Sequence, residues 1–420
     1  MKLLVKNIGL LVSACRTPRR EAFRGAEMSS LPTLNDAWLL ADDGRVCDFG
    51  GMETCPVPDA ATTLVDAEGG AVFPTFCDSH THIVYADSRE GEFVDKIRGL
   101  SYAVIARRGG GILNSADRLH ELSEDELFAQ ARRRVEEVVM KGTGAIEIKS
   151  GYGLNTEDEL KMLRVIRRLR EAYPDLCMRS TFLGAHAEGR AYQGRQAEYV
   201  EYLIREMIPA VGAARLADFI DVFCDEGFFT PEETDRLLKA GRKHGMLPKI
   251  HGQELADSGG VEVAVKNEAL SVDHLESMTD ADIRMLQDAP ETIPTALPGT
   301  SFFLNMPFAP ARKMIASGLA VAIASDYNPG STPSGDMKFA VALACIKMRL
   351  LPAEAINAAT QNSAAAMGIA ADYGTLDVGK VASFFITPKI PSVAFLPYAY
   401  TTPLVRRVFL RGREWKQPSE

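Results

Sequence analysis

The chain is expected to fold as an α/β protein, a (β/α)8 TIM-type barrel with a small β-sandwich-like domain built from both chain ends. Three observations lead there. Between about residues 72 and 348, eight short apolar runs alternate with amphipathic helical patterns, as strands and helices do around a parallel sheet. Polar residues close several of those runs, with His82, His186, His251, His274 and Asp326 at or beside their C-terminal ends, the face on which a barrel assembles its site. Both chain ends read instead as short strands broken by turns. A doubly wound open sheet shares the alternation, but polar residues spread over the ends of many different strands favour the barrel.

Residues 1–70 carry turn signals at Asp42-Asp43-Gly44 and Glu68-Gly69-Gly70, and residues 370–420 carry one in Tyr373-Gly374-Thr375 through Lys380. These segments, 1–70 and 370–420, are expected to pair into the small β-domain, leaving 71–369 for the barrel. Barrel strands are expected near 72–82, 144–150, 179–186, 218–223, 248–252, 271–275, 291–298 and 321–326, with helices over 124–141, 156–172, 196–207, 231–245 and 336–348. Ser123 ahead of Glu124-Asp125-Glu126, and Thr230 ahead of Pro231-Glu232-Glu233, mark two helix starts. The longest connection, 83–143, contains Arg107-Arg108-Gly109-Gly110-Gly111. It reads either as a lid over the site or as a helical excursion with a flexible turn.

With 420 residues, 46% hydrophobic and 25% charged, the chain is of ordinary globular composition and long enough for a barrel plus a smaller domain. A net charge of -9 without any basic run argues against nucleic acid or an anionic membrane as partner. The seven cysteines, Cys15, Cys47, Cys55, Cys77, Cys177, Cys224 and Cys345, are widely spaced and form no Cys-x-x-Cys. They read as reduced thiols of a cytoplasmic protein. The N-terminal apolar stretch is too short for a signal peptide, and no segment approaches the ~20 apolar residues of a membrane span.

The chemistry is carried by His80-Thr81-His82 at the end of the first apolar run. Residues i and i+2 of a strand face the same side, about 7 Å apart, so two imidazoles there can share one metal ion. His251 and Asp326 close later runs and complete a set of three histidines and one aspartate. Zn(II) and Fe(II) both suit imidazole plus carboxylate, and a single divalent ion is the simpler expectation. Such an ion lowers the pKa of bound water to about 7. Asp326 is placed to take that water's proton and pass it to a leaving nitrogen. His274 can polarise a carbonyl or hold an oxyanion, or serve only to support the ligands. Glu254 can orient water or bind a ring N–H, or be a helix-start acid. Arg89, Tyr152 and His186 follow or end the first three strands and fall on the same face. Asn328, Gly330 and Ser331 follow Asp326, where backbone N–H groups can cradle an anion or form a simple turn. An arginine with such a cradle suits a small-molecule substrate with a carboxylate tail. Lys149 ends the second strand and is expected to be structural or on the surface.

Several segments resemble a known family. The strand-borne His80-Thr81-His82, His251-Gly252-Gln253-Glu254, His274 and Asp326 are similar to the amidohydrolase superfamily. Ser79-His80-Thr81-His82 with Ser88-Arg89-Glu90, Gly109-Gly110-Gly111-Ile112-Leu113, Lys149-Ser150-Gly151-Tyr152-Gly153-Leu154, Phe182-Leu183-Gly184-Ala185-His186-Ala187, Asp273-His274-Leu275-Glu276 and Asp326-Tyr327-Asn328-Pro329-Gly330-Ser331 together resemble the imidazolonepropionase family, from about residue 70 to 385. The resemblance implies hydrolysis of 4-imidazolone-5-propanoate to N-formimidoyl-L-glutamate in histidine degradation. It implies metal ligation by His80, His82, His251 and Asp326 and catalytic help from His274. It also implies substrate contacts from Arg89, Tyr152, His186 and Glu254, with Asn328, Gly330 and Ser331 near the propionate. The alternative is a metal-dependent aminohydrolase acting on a heterocyclic ring, against which an arginine and an anion cradle weigh. A homodimer is compatible with these features.

Overall fold

The computed structural model describes residues 2–100, 104 and 110–416; Arg107, Arg108 and Gly109 of the long connection lie outside them. Strand β1 (Lys2–Val12) pairs antiparallel with β2 (Thr33–Asp42), and β2 with β3 (Arg45–Gly51). Asp43 and Gly44 join β2 to β3 with φ of 46° and 75°, the left-handed pair that a tight hairpin turn needs and Asp-Gly accommodates. Strands β4 (Thr62–Asp66) and β5 (Ala71–Pro74) lie parallel on β1.

The barrel begins immediately afterwards with β6 (Phe76–Asp78). It continues through β7 (Thr143–Lys149), β8 (Cys177–Ala185), β9 (Phe219–Cys224), β10 (Leu247–Pro248) with β11 (Ile250–Gly252), β12 (Ser271–His274), β13 (Ile293–Ala296) and β14 (Ala322–Ile323). Every pairing between neighbours is parallel, and β10 and β11 form one stave interrupted at Lys249. The run 72–82, expected as one strand, is therefore split. Ala71–Pro74 is drawn into the other sheet by pairing with β15 (Phe384–Ile386), and Thr75 is the joint between the two sheets. Strands β16 (Arg407–Leu410) and β17 (Arg413–Glu414) complete that sheet, so both chain ends share it. One of its faces builds a separate apolar core from residues such as Leu3, Val5, Ile8, Leu39, Phe384 and Phe409.

The ring closes at its C-terminal rim. Thr81 bridges Tyr327, the Asp326 N–H donates to the His80 carbonyl at 3.0 Å, and the His82 N–H donates to the Tyr327 carbonyl at 2.9 Å. This seam fixes His80, His82 and Asp326 in mutual register. Outside the ring, helix Glu124–Met140 buries Leu127, Ala131, Val135, Val138 and Val139 on one face and packs on β7 and on helix Thr156–Ala172, as its 3.6-residue spacing requires. Ser123–Glu126 and Thr230–Glu233 are reciprocal caps. The 83–143 connection contains helices Glu90–Ile97 and Ile112–Glu121 before that long helix. Among the described residues, no helix is long and apolar enough to cross a membrane.

Candidate metal centre and active site

Three imidazoles converge inside the rim. His80 Nε2 lies 3.2 Å from His82 Nε2, and His251 Nε2 lies 3.4 Å from the same atom. Asp326 Oδ1 stands 3.5 Å from Nε2 of both His80 and His82. All four residues are buried. The other nitrogen of two rings faces a carboxylate: His80 Nδ1 is hydrogen-bonded to Asp273 Oδ2 at 2.7 Å, and His251 Nδ1 lies in ion-pair contact 2.9 Å from Asp221 Oδ2. A carboxylate only accepts, so it selects the Nδ1–H tautomer and turns the Nε2 lone pair inward. Burial foremost, then neighbouring positive charge, holds His80 and His82 well below the ordinary histidine range. Neutral lone pairs facing each other and a carboxylate cannot satisfy one another, whereas a cation satisfies all of them. The donor set fits a metal ion.

Asp326 divides its oxygens. Thr300 Oγ1 donates to Oδ2 at 2.6 Å and Ser331 Oγ at 3.2 Å, leaving Oδ1 toward the imidazoles. Its φ is 54°, and His274 has φ 89°. Such backbone costs about 1–3 kcal/mol per residue and gathers at functional sites. At His274 it has a visible use. Neighbouring strand residues face opposite sides, yet Asp273 supports His80 while His274 also enters the site, its ring centroid 5.3 Å from that of His251. His274 Nδ1 lies 3.6 Å from Glu254 Oε2 and 3.7 Å from Glu276 Oε2. Burial disfavours its charge, but Glu254, Glu276 and Asp326 overcome burial and push its pKa up to about 10. Burial first, with Glu276 and Asp326, raises Glu254 against the pull of His274.

The site opens into a cavity of about 540 Å³ lined by His82, His251, His274, Glu254 and Asp326 together with Arg89, Tyr152, His186, Asn328, Gly330 and Ser331. His186 stacks on His82 with centroids 5.3 Å apart, and its Nδ1–H donates to the Gly151 carbonyl at 2.9 Å, so Nε2 is the free acceptor. Burial pushes its pKa down to about 3. Tyr152 lies tilted against both rings, its centroid 5.9 Å from that of His82 and 5.3 Å from that of His186. The Arg89 Nε and Nη2 donate to Glu92 Oε2 at 3.0 and 2.6 Å, and the guanidinium lies against Gly330. A Cβ on Gly330 would stand 2.3 Å from Arg89 Nη1. Gly330→Ala is therefore expected to displace the flexible arginine, raising KM with little change in thermal stability; an unchanged KM would show that Arg89 does not need this seat. The backbone cradle anticipated after Asp326 takes another form. The Gly330 and Ser331 N–H groups both donate to Asn328 Oδ1 at 2.8 Å, so the chain's own side chain fills it, and the cations on this wall are Arg89 and Lys96, whose Nζ donates to the Gly330 carbonyl at 2.8 Å.

Other residues of the site were given no place in it by the sequence. Glu147, Lys149, Asp221, Lys249 and Asp273 form a fully buried charged layer beneath the histidines. Lys149 is thus interior, not on the surface. The available signal was charged residues two apart within apolar strands, Glu147-Ile148-Lys149 and Lys249-Ile250-His251, which strand alternation sends inward together. Thr300 and Glu276 had no such periodic signal.

A model described as the amidohydrolase family matches residues 71–413. An imidazolonepropionase of Christiangramia forsetii is 51% identical over 413 residues, 98% of this chain and 100% of its own. That of Flavobacterium psychrophilum is 49% identical over the same coverage. Among solved structures, E. coli guanine deaminase matches 100% of both chains with a TM-score of 0.74 at 14% identity. An adenosine deaminase from Xanthomonas campestris with bound Zn matches 98% of this chain and 92% of its own, with a TM-score of 0.69 at 17% identity. These two speak for the fold. The barrel, its histidine-lined rim and about half identity over nearly the whole chain agree: the chain belongs to the amidohydrolase family, among the imidazolonepropionases.

Proposed function

We propose that the chain holds one divalent ion, Zn(II) or Fe(II), on His80, His82, His251 and Asp326, and hydrolyses 4-imidazolone-5-propanoate to N-formimidoyl-L-glutamate. The supporting observation is the convergence of three Nε2 atoms and Asp326 Oδ1 within one cavity that also presents Arg89. The names of the relatives point to the same substrate. When bound, the ion would supply Lewis acidity and an acidified water.

The chain's residues do the rest. Arg89 takes the propionate, near Asn328, Gly330 and Ser331. Tyr152 and His186 hold the ring, and Glu254 meets a ring N–H. His274, kept cationic by its carboxylates, donates to the ring carbonyl oxygen as charge develops there. Asp326 accepts the water proton at Oδ2 and returns it to the ring nitrogen as the C–N bond breaks. The Thr300 hydroxyl, 2.6 Å from Oδ2 and 2.9 Å from Thr332 Oγ1, can reverse from donor to acceptor as that proton arrives. On this reading the barrel that starts at Phe76 is the catalytic unit, and the sheet built from both chain ends, Ala71–Pro74 included, is its flank. The enzyme works in the cytoplasm, in keeping with seven free thiols.

Chelation is expected to abolish turnover, and Zn(II) or Fe(II) to restore it. Product analysis decides the reaction: N-formimidoyl-L-glutamate without ammonia supports the reading. Ammonia from a panel of heterocycles, with nothing from imidazolonepropionate, would replace it with a deaminase.

A further inference from the structure

The charged layer below the metal site is built around two lysines. Lys149 Nζ donates to Glu147 Oε1 at 2.6 Å and to Asp221 Oδ2 at 2.7 Å, and lies 3.8 Å from Asp273 Oδ2. Lys249 Nζ donates to Glu147 and, at 2.9 Å, to the Ser79 carbonyl, and also lies 3.8 Å from Asp273 Oδ2. Lys149 thus holds the oxygen behind His251, Asp221 Oδ2, which faces His251 Nδ1, while the oxygen behind His80, Asp273 Oδ2, lies within ion-pair range of both lysines and faces His80 Nδ1. Ser271 Oγ secures the other oxygen of Asp273 at 2.6 Å, and Thr181 Oγ1 secures Glu147 Oε1 at 2.6 Å.

Barrel interiors are ordinarily filled by branched apolar side chains, and burying five ionisable groups in their place is costly. We propose that Lys149 and Lys249 are positioning residues of the metal centre: by anchoring Asp221 and Asp273 they fix the ring orientation and tautomer of His251 and His80, so that both Nε2 lone pairs aim at one point. This rests on the reading that these histidines hold a metal. Because Lys149 touches Asp221 and approaches Asp273, the two histidines share an anchor, and disturbing it moves both.

The test measures Zn(II) affinity by competition with a chelating dye, and the visible spectrum of the Co(II)-loaded protein, on full-length wild type, Asp221→Asn, Asp273→Asn, Lys149→Met, Lys149→Arg and the double variant Lys149→Met/Asp221→Asn. Circular dichroism checks folding. Each Asn variant, isosteric and with both lysines in place, is expected to lose about 10–100-fold in affinity and to change the Co(II) spectrum. Lys149→Met should lose at least as much, and Lys149→Arg should recover part. The double variant should lose less than the product of its singles, as groups of one network do. If Lys149→Met fails to fold, Lys149→Gln takes its place, and a folded lysine variant with wild-type affinity and spectrum overturns the proposal. Folded Asn variants with wild-type affinity and spectrum overturn the proposal, as does a double variant whose loss equals the product. Absence of metal binding by the wild type sinks this proposal and the functional reading together. Normal binding by every variant sinks this proposal alone.

Discussion

Asp326→Asn is expected to lower kcat per bound metal ion by about 10²–10⁴-fold, the range for loss of a general acid–base group. Substrate binding should largely survive, because the tail is gripped elsewhere. The asparagine keeps the shape that receives Thr300 Oγ1 at 2.6 Å and Ser331 Oγ at 3.2 Å, so the hydroxyl chain and the rim seam through the Asp326 N–H should persist. What it loses is the capacity to accept a proton. Metal content must be measured alongside, since the same residue supplies Oδ1 to the ion site. A variant whose kcat per bound ion stays within about threefold of wild type would remove Asp326 from proton transfer.

Arg89→Ala is expected to act on binding. Arg89 is buried on Glu92, which in turn accepts from the Gly111 N–H and from Asn114 Nδ2, both at 3.0 Å. The guanidinium is therefore presented on a braced platform. A hydrogen bond to a charged group contributes about 1.5–3 kcal/mol, or about 10- to 100-fold in KM at 1.4 kcal/mol per tenfold. Ground state and transition state use the tail alike, so kcat should change less. A substrate analogue with a carboxamide tail should lose a similar factor on the wild type and little on the variant. Equal KM values for variant and wild type would mean that the carboxylate is held by another group.

The candidate ligands were legible because their placement is local: two histidines at i and i+2 follow one strand end, Asp78, on the same side, and strand ends meet at one rim. What was hidden depends on distant partners. Ala71–Pro74 looks like the start of a barrel strand until Phe384–Ile386, near the other end of the chain, pairs with it. The backbone amides after Asp326 look like an anion cradle until Asn328 Oδ1 claims them. Asp273 and His274 should face opposite sides by alternation, and only a left-handed backbone at His274 brings both into the site. The charged layer was half visible, since apolar strands carrying Glu147 and Lys149 must turn them inward. Which carboxylate each lysine would meet depended on barrel register.

The most direct measurement is metal-edge X-ray absorption on wild-type protein of known metal content. One equivalent of metal per chain is expected, with a ligand shell of nitrogen and oxygen only and the multiple-scattering signature of three imidazoles, lost in part in His251→Ala. Two equivalents, sulfur in the shell, or an unchanged shell in that variant would contradict this expectation.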